Sequence, residues 1–129
     1  ERALEMVEAH ALGPEEAVRI FLEEGEYERA MRVVEADRWC PDAVLLEVID
    51  VVREMAPSWA FAQCRARAEA IMDAGRADAY HEAVHWLQKG RDILREAGDL
   101  ETWQRYLTSL LDKHQRKYKL RPMLEQLKL

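Results

Sequence analysis

The chain has 129 residues and a formal net charge of −6, with 19 Lys and Arg against 25 Asp and Glu. A single domain of this length buries about two thirds of the surface that its unfolded chain exposes. At 49% hydrophobic and 34% charged, with only 5 Gly and 4 Pro, the chain is too apolar for a disordered protein and too poor in turn formers for a β-sandwich. We therefore expect one all-α domain over residues 1–129.

A repeat of 27 residues is the clearest internal signal. Residues 1–9 read ERALEMVEA and residues 28–36 read ERAMRVVEA, and each segment is followed by a proline, Pro14 or Pro41. Helical repeats of such length are typical of solenoid proteins, in which each unit packs on the next. We predict antiparallel αα-hairpins stacked as a tetratricopeptide-like α-solenoid, a right-handed array of about eight helices.

Apolar periodicity and the positions of Gly and Pro locate these helices. Four glycines, Gly13, Gly25, Gly75 and Gly98, sit at the predicted ends, and prolines sit at or just before the predicted starts. No run alternates long enough to form a strand. In chain order the predicted helices are 1–11, 14–24, 26–36, 41–56, 58–74, 79–97, 100–117 and 122–128.

Aromatic residues recur near the junctions between predicted hairpins. The tryptophans are Trp39, Trp59, Trp86 and Trp103. Large rings fill the gaps between stacked helices, so we expect these four in the core. An exposed Trp39 or Trp59 would instead indicate a partner-binding surface.

The sequence shows no membrane span, because no apolar stretch approaches the roughly 18 to 20 residues that a spanning helix needs. It opens at Glu1 on a helical pattern, without a basic region or an apolar signal segment. We therefore expect a fragment of a longer protein, and the family resemblance given below implies that it is a C-terminal one. Cys40 and Cys64 lack a CxxC spacing, which favours reduced thiols and a cytoplasmic location.

Residues 81–85 read HEAVH and match the HExxH pattern, in which two histidines bind zinc and the glutamate activates water. A catalytic zinc needs a third protein ligand, which Glu101 could supply. In the longer metzincin pattern positions 88 and 91 are Gly and His, but here they are Gln and Arg. His81 and His85 also fall on the polar face of their predicted helix, so a zinc hydrolase is the less favoured hypothesis.

Other catalytic patterns are absent from the sequence. The glycines are isolated, so they form no phosphate-binding loop, and no Ser or Cys lies in a nucleophile elbow. We therefore expect no catalytic residue, no metal and no cofactor, and a protein that is not an enzyme.

Charge is divided unevenly along the chain. Residues 1–54 carry 6 basic and 15 acidic side chains, a net charge of −9, whereas residues 55–129 carry 13 basic and 10 acidic side chains, a net charge of +3. The candidate partner-binding residues are Lys113, Arg116, Lys117, Tyr118, Lys119 and Arg121. Five cations with an interleaved aromatic can bind an acidic protein surface or nucleic-acid phosphates. Alternatively, they form a solvated helix end that complements the helix dipole.

Several motifs together carry a family resemblance. They are EEGEYERA at 23–30, AEAIMDAG at 68–75, YHEAVHWL at 80–87, GRDIL at 90–94, WQRYL at 103–107 and HQRKYKLRPML at 114–124. In this order they resemble the C-terminal helical region of SWIM zinc finger proteins. The resemblance implies a tetratricopeptide-like scaffold attached to a zinc-binding module. The CxC and CxH ligands of that module are absent from this chain, so its zinc site is not expected here.

These observations favour a non-enzymatic protein–protein interaction scaffold of the SWIM type, with a protein partner docked in a groove between stacked hairpins. A second hypothesis is a nucleic-acid-associated domain that acts through the parent protein or the basic C-terminal segment. The third is the HExxH zinc hydrolase. We expect no membrane partner, and the sequence predicts neither the oligomeric state nor the identity of the partner.

Overall fold

The computed structural model describes residues 13–37 and 40–128. Within these ranges all regular structure is helical, which confirms the predicted all-α class. The α-helices described are α1 (Pro14–Glu23), α2 (Tyr27–Ala36), α3 (Asp42–Val52), α4 (Pro57–Asp73), α5 (Tyr80–Glu96), α6 (Leu100–Lys113) and α7 (Leu120–Glu125). A 3₁₀ turn at Ala77–Ala79 precedes α5. The predicted helix 1–11, with the first copy of the repeat, and Trp39 lie outside the described residues.

The helix predicted at 41–56 ends at Val52 instead. Ala56 lies outside the helical region, at φ −136° and ψ 60°, and Pro57 begins α4. A proline ring disfavours helical backbone in the residue before it, so the chain cannot pass from α3 into α4 as one helix.

The helix predicted at 100–117 ends at Lys113, because His114 adopts φ −107° and ψ 21°. The last helix begins at Leu120 rather than at 122. Pro122 therefore lies in the first turn of α7, where its missing N–H would have no intrahelical partner. No helix within the described ranges has the length and apolar character needed to cross a bilayer.

The described residues form two compact units, one up to Arg53 and the other from Glu54 onward. In the first unit, α1, α2 and α3 pack against one another. Gly25, at φ 74°, ends the turn after α1, and the Glu26 N–H donates to the Phe21 carbonyl at 2.8 Å. The buried apolar residues of this unit's helices are Ala17, Val18, Phe21, Ala30, Val34, Val44, Leu45, Val48, Ile49 and Val52.

In the second unit, α4 and α5 form a closely packed hairpin, and α6 and α7 complete the unit. Trp86 and Trp103 are buried, as predicted, whereas Trp59 is only partly buried. Among the described tryptophans, the core prediction is therefore confirmed for Trp86 and Trp103.

Helices α4 and α6 run side by side in the same direction. Near their starts, the rings of Phe61 and Trp103 meet edge to face with centroids 6.5 Å apart. At their ends, Lys113 Nζ lies 2.9 Å from Asp73 Oδ1. Helix α5 follows α4 and precedes α6 in the chain, so it runs in the opposite direction to both.

At Gly90, α5 packs closely against α4. A Cβ atom at this position would lie 3.1 Å from Phe61 Cδ1 and 3.5 Å from Cys64 Cβ. The Phe61 ring cannot turn away freely, because it also packs edge to face on Tyr106 of α6 with centroids 5.4 Å apart. A single contact between Gly90 and Phe61 therefore positions three helices.

We expect Gly90→Ala to destabilise the protein. The added Cβ overpacks the α4–α5 contact, which costs typically 1–3 kcal/mol and outweighs the roughly 1 kcal/mol that Ala gains over Gly in a helix. Urea denaturation should show a net loss of about 1 kcal/mol. In a Phe61→Leu background the same substitution should cost less, and an equal cost in both backgrounds would contradict this explanation.

Asp99 is the N-cap of α6. Its Oδ1 accepts the Thr102 N–H at 3.3 Å, and its Oδ2 accepts the Thr102 hydroxyl at 2.7 Å. We expect Asp99→Ala to lower the free energy of unfolding by about 1 kcal/mol, because the first turn loses its acceptor. Asp99→Asn retains an acceptor and should lose less than half of that amount in the same denaturation experiment.

Candidate functional site

The two histidines of the HExxH segment lie on the exposed face of α5, as the helical periodicity predicts. The His81 and His85 rings are nearly perpendicular, with centroids 6.3 Å apart. Over residues 13–37 and 40–128, no three His, Cys, Asp or Glu side chains come together as metal ligands. Glu101 therefore does not join the histidine pair, and the geometry offers no support for a zinc hydrolase.

The six predicted partner-binding residues lie at the end of α6, in the connection 114–119 and at the start of α7. The structure divides them into two groups. One group makes contacts within the chain: Lys113, Lys117 and Arg121. The other makes no hydrogen bond or ion pair with any described residue: Arg116, Tyr118 and Lys119.

Lys113 and Lys117 bind the C-terminal end of α4. Lys113 pairs with Asp73, and this pairing lowers the pKa of Asp73 and raises the pKa of Lys113. Lys117 Nζ donates a 2.7 Å hydrogen bond to the backbone carbonyl of Met72. Carbonyls in the last turn of a helix lack intrahelical donors and carry the negative end of the helix dipole, so they attract cations.

Arg121 contacts two other residues of the C-terminal segment. Its Nε lies 3.3 Å from Glu125 Oε1, one turn further along α7. Its Nη1 also donates to the backbone carbonyl of Gln115 at 3.4 Å. Arg121 therefore helps to join the connection 114–119 to α7.

Polar side chains line the contact between α4 and α6. We define them as the polar seam, which consists of Arg65, Glu69 and Asp73 of α4 with Tyr106 and Lys113 of α6. Arg65 Nε is 3.1 Å from Glu69 Oε2, and the Arg65 guanidinium lies 5.5 Å from the centroid of the Tyr106 ring. The Tyr106 hydroxyl is buried and has no hydrogen-bond partner among the described residues. Burial raises the pKa of Tyr106, and the nearby Glu69 carboxylate raises it further.

His114 is buried next to the polar seam, with a relative exposure of 2%. Neither ring nitrogen has a hydrogen-bond partner within the described ranges. Burial lowers the pKa of His114, the positive charges of Lys117 and Lys113 lower it further, and Asp73 and Glu69 oppose this effect.

In the sequence, His114 stands out only as the first residue of the motif HQRKYKLRPML at 114–124. A signal for its burial was present, since Trp103, Leu107, Leu110 and His114 follow the i, i+4, i+7, i+11 spacing of one helix face. The other three residues on that face are buried too.

We define Arg116, Tyr118 and Lys119 as the basic surface. Tyr118 is 93% exposed, more than any other large apolar or aromatic side chain that the structure describes. Arg116, two residues before Tyr118, and Lys119, the residue after it, have no acidic partner among the described residues, and both are exposed. Exposed aromatic and arginine side chains are the types that most often supply binding energy at protein interfaces.

Comparison with known proteins adds no assignment to these observations. No protein-family model, no curated protein and no solved structure matches this chain. The function must therefore be argued from the residues themselves.

The two groups of cations should differ in their effect on stability. Lys117→Met keeps the apolar stem but removes the hydrogen bond to the Met72 carbonyl, so we expect a loss of about 1 kcal/mol. Arg116→Met, one residue away, removes a cation without an internal partner and should change stability by less than about 0.5 kcal/mol. Urea denaturation of both variants measures the difference, and equal losses would show that the Lys117 contact does not stabilise the fold.

Proposed function

We propose that this chain is a non-enzymatic interaction scaffold that binds an acidic segment of a partner protein on its basic surface. The observation that carries the proposal is Tyr118, which is almost fully exposed next to two cations without internal partners. An exposed ring of this size contributes nothing to the core. It can cover apolar side chains of a partner while Arg116 and Lys119 pair with carboxylates.

The helix arrangement of residues 54–129 supports the scaffold part of the proposal. Parallel α4 and α6 with α5 returning between them correspond to one hairpin and the first helix of the next. This order is compatible with a tetratricopeptide-like stack and with the helical region of a SWIM-type protein. Cys40 and Cys64 are buried and form no disulfide, which fits a scaffold that works in the reducing cytoplasm.

An acidic protein segment fits the basic surface better than a nucleic acid does. Three of the five cations in the basic segment are already paired within the chain, so two remain for phosphates. Nucleic-acid binding draws its affinity from many phosphate contacts, and the net charge of −6 opposes a polyanion as a whole. A short acidic segment with one apolar side chain needs only the three groups that are exposed.

The test is fluorescence anisotropy with a labelled peptide of Glu residues around a central Phe. We expect saturable binding in low salt. The Arg116→Ala, Tyr118→Ala, Lys119→Ala triple variant should weaken binding by about tenfold or more, since each tenfold loss corresponds to about 1.4 kcal/mol. Its midpoint of urea denaturation should not change, because the three side chains are exposed and have no hydrogen bond or ion pair with another described residue.

A matched control removes two exposed cations elsewhere in residues 54–129, Arg105→Ala with Lys128→Ala, and should bind the peptide as the original chain does. The same anisotropy measurement with a labelled single-stranded DNA tests the nucleic-acid hypothesis. Tighter binding of DNA with a steep salt dependence would favour the nucleic-acid hypothesis. Unchanged peptide binding by the triple variant would refute the proposed surface.

A further inference from the structure

His114 is the only buried side chain in residues 13–37 and 40–128 that titrates near neutral pH. A protonated imidazole has two N–H donors and needs two acceptors. In its buried position His114 has none among the described residues, so a charged ring there would be desolvated and unpaired.

The charges that face His114 come from two sides. Helix α4 contributes Glu69 and Asp73, while Lys113 precedes the histidine on α6 and Lys117 follows it in the connection. The Asp73 carboxylate is paired with Lys113, which leaves it less able to compensate a further positive charge. A proton on His114 would therefore add a third positive charge beside two lysines.

The backbone at His114 joins α6 to the segment that carries the basic surface. The His114 N–H donates to Leu110 O at 2.9 Å, the Lys117 N–H donates to His114 O at 3.0 Å, and the Arg121 N–H donates to Lys117 O at 2.9 Å. We expect movement of the imidazole out to solvent to disturb this chain of hydrogen bonds and the contact of Lys117 with the Met72 carbonyl.

We propose that His114 is a proton-operated switch for the connection 114–119. The neutral ring stays buried and keeps the connection against the end of α4. The protonated ring moves into solvent and releases Lys117, and with it the basic surface. The switch would regulate partner binding at the basic surface, and this regulatory role rests on the proposed function. The opening of the connection itself requires no partner.

The direction of the pH effect follows from linkage. The buried state has the lower histidine pKa, so the open state binds more protons as the pH falls below the ordinary value of about 6.5. Stability of the closed connection is therefore fully present above that pH. It is lost progressively as the pH falls through the range between the ordinary pKa and the lowered pKa.

The test is amide hydrogen exchange of the full chain by NMR at pH 7.5 and pH 5.5, expressed as protection factors so that the intrinsic pH dependence of exchange cancels. We expect the protection of the Lys117 and Arg121 amides to fall by about threefold or more at the lower pH. His114→Leu should keep the same protection at both values. His81→Leu, which removes an exposed imidazole from α5, should behave as the original chain does.

A direct titration of the His114 ring in the unmodified chain provides a second measurement if His114→Leu fails to fold. We expect its pKa to lie below 6.5 and its midpoint to coincide with the loss of Lys117 protection. An equal pH effect in His114→Leu, or a ring that titrates at or above 6.5, would overturn the switch. Neither measurement uses the acidic peptide, so failure of the switch and failure of the proposed function are distinguishable.

Discussion

The contact between Gly90 and Phe61 is the constraint on which residues 54–129 depend. Because Gly90 has no side chain, α5 approaches α4 closely enough to touch the Phe61 ring. The same ring packs on Trp103 and Tyr106, so the spacing of α4 and α5 also determines where α6 lies. The parallel course of α4 and α6 then brings Lys113 to Asp73 and Lys117 to the Met72 carbonyl. The position of the connection 114–119 is thus a consequence of packing that begins at one glycine.

Most of the helical architecture is predictable because its signals are local. Pro14 and Pro57 stand in the first turns of α1 and α4, and Gly25, Gly75 and Gly98 adopt the positive φ that ends α1, α4 and α5. The predicted ends of two helices, at residues 56 and 117, differ from the structure. Pro57 should have shortened the helix at 41–56. The spacing of apolar residues in α6 indicates that His114 is buried, but it does not indicate that the backbone leaves the helical conformation at this residue.

The candidate site was less predictable than the fold, for a physical reason. A run of five cations looks uniform in sequence, since charge alone does not show which side chain meets an acceptor. The acceptors lie about 40 residues earlier in the chain, at Asp73 and the Met72 carbonyl, and only the parallel packing of α4 and α6 brings them near. The role of Gly90 was also not predictable from the sequence. A glycine inside a helix lowers helix stability, and its benefit is evident only once the position of the Phe61 ring is known.

The cations of the basic segment fall into two groups, one fixed within the chain and one exposed. Lys113 and Lys117 are fixed on α4, and this attachment orders the short segment on which Arg116, Tyr118 and Lys119 are exposed. An ordered segment loses less conformational entropy when it binds than a free tail with the same composition would. His114 lies within this attachment, next to both lysines, and its burial without hydrogen-bond partners among the described residues disfavours the protonated ring. The residues that order the surface are therefore also the ones through which a proton could disorder it.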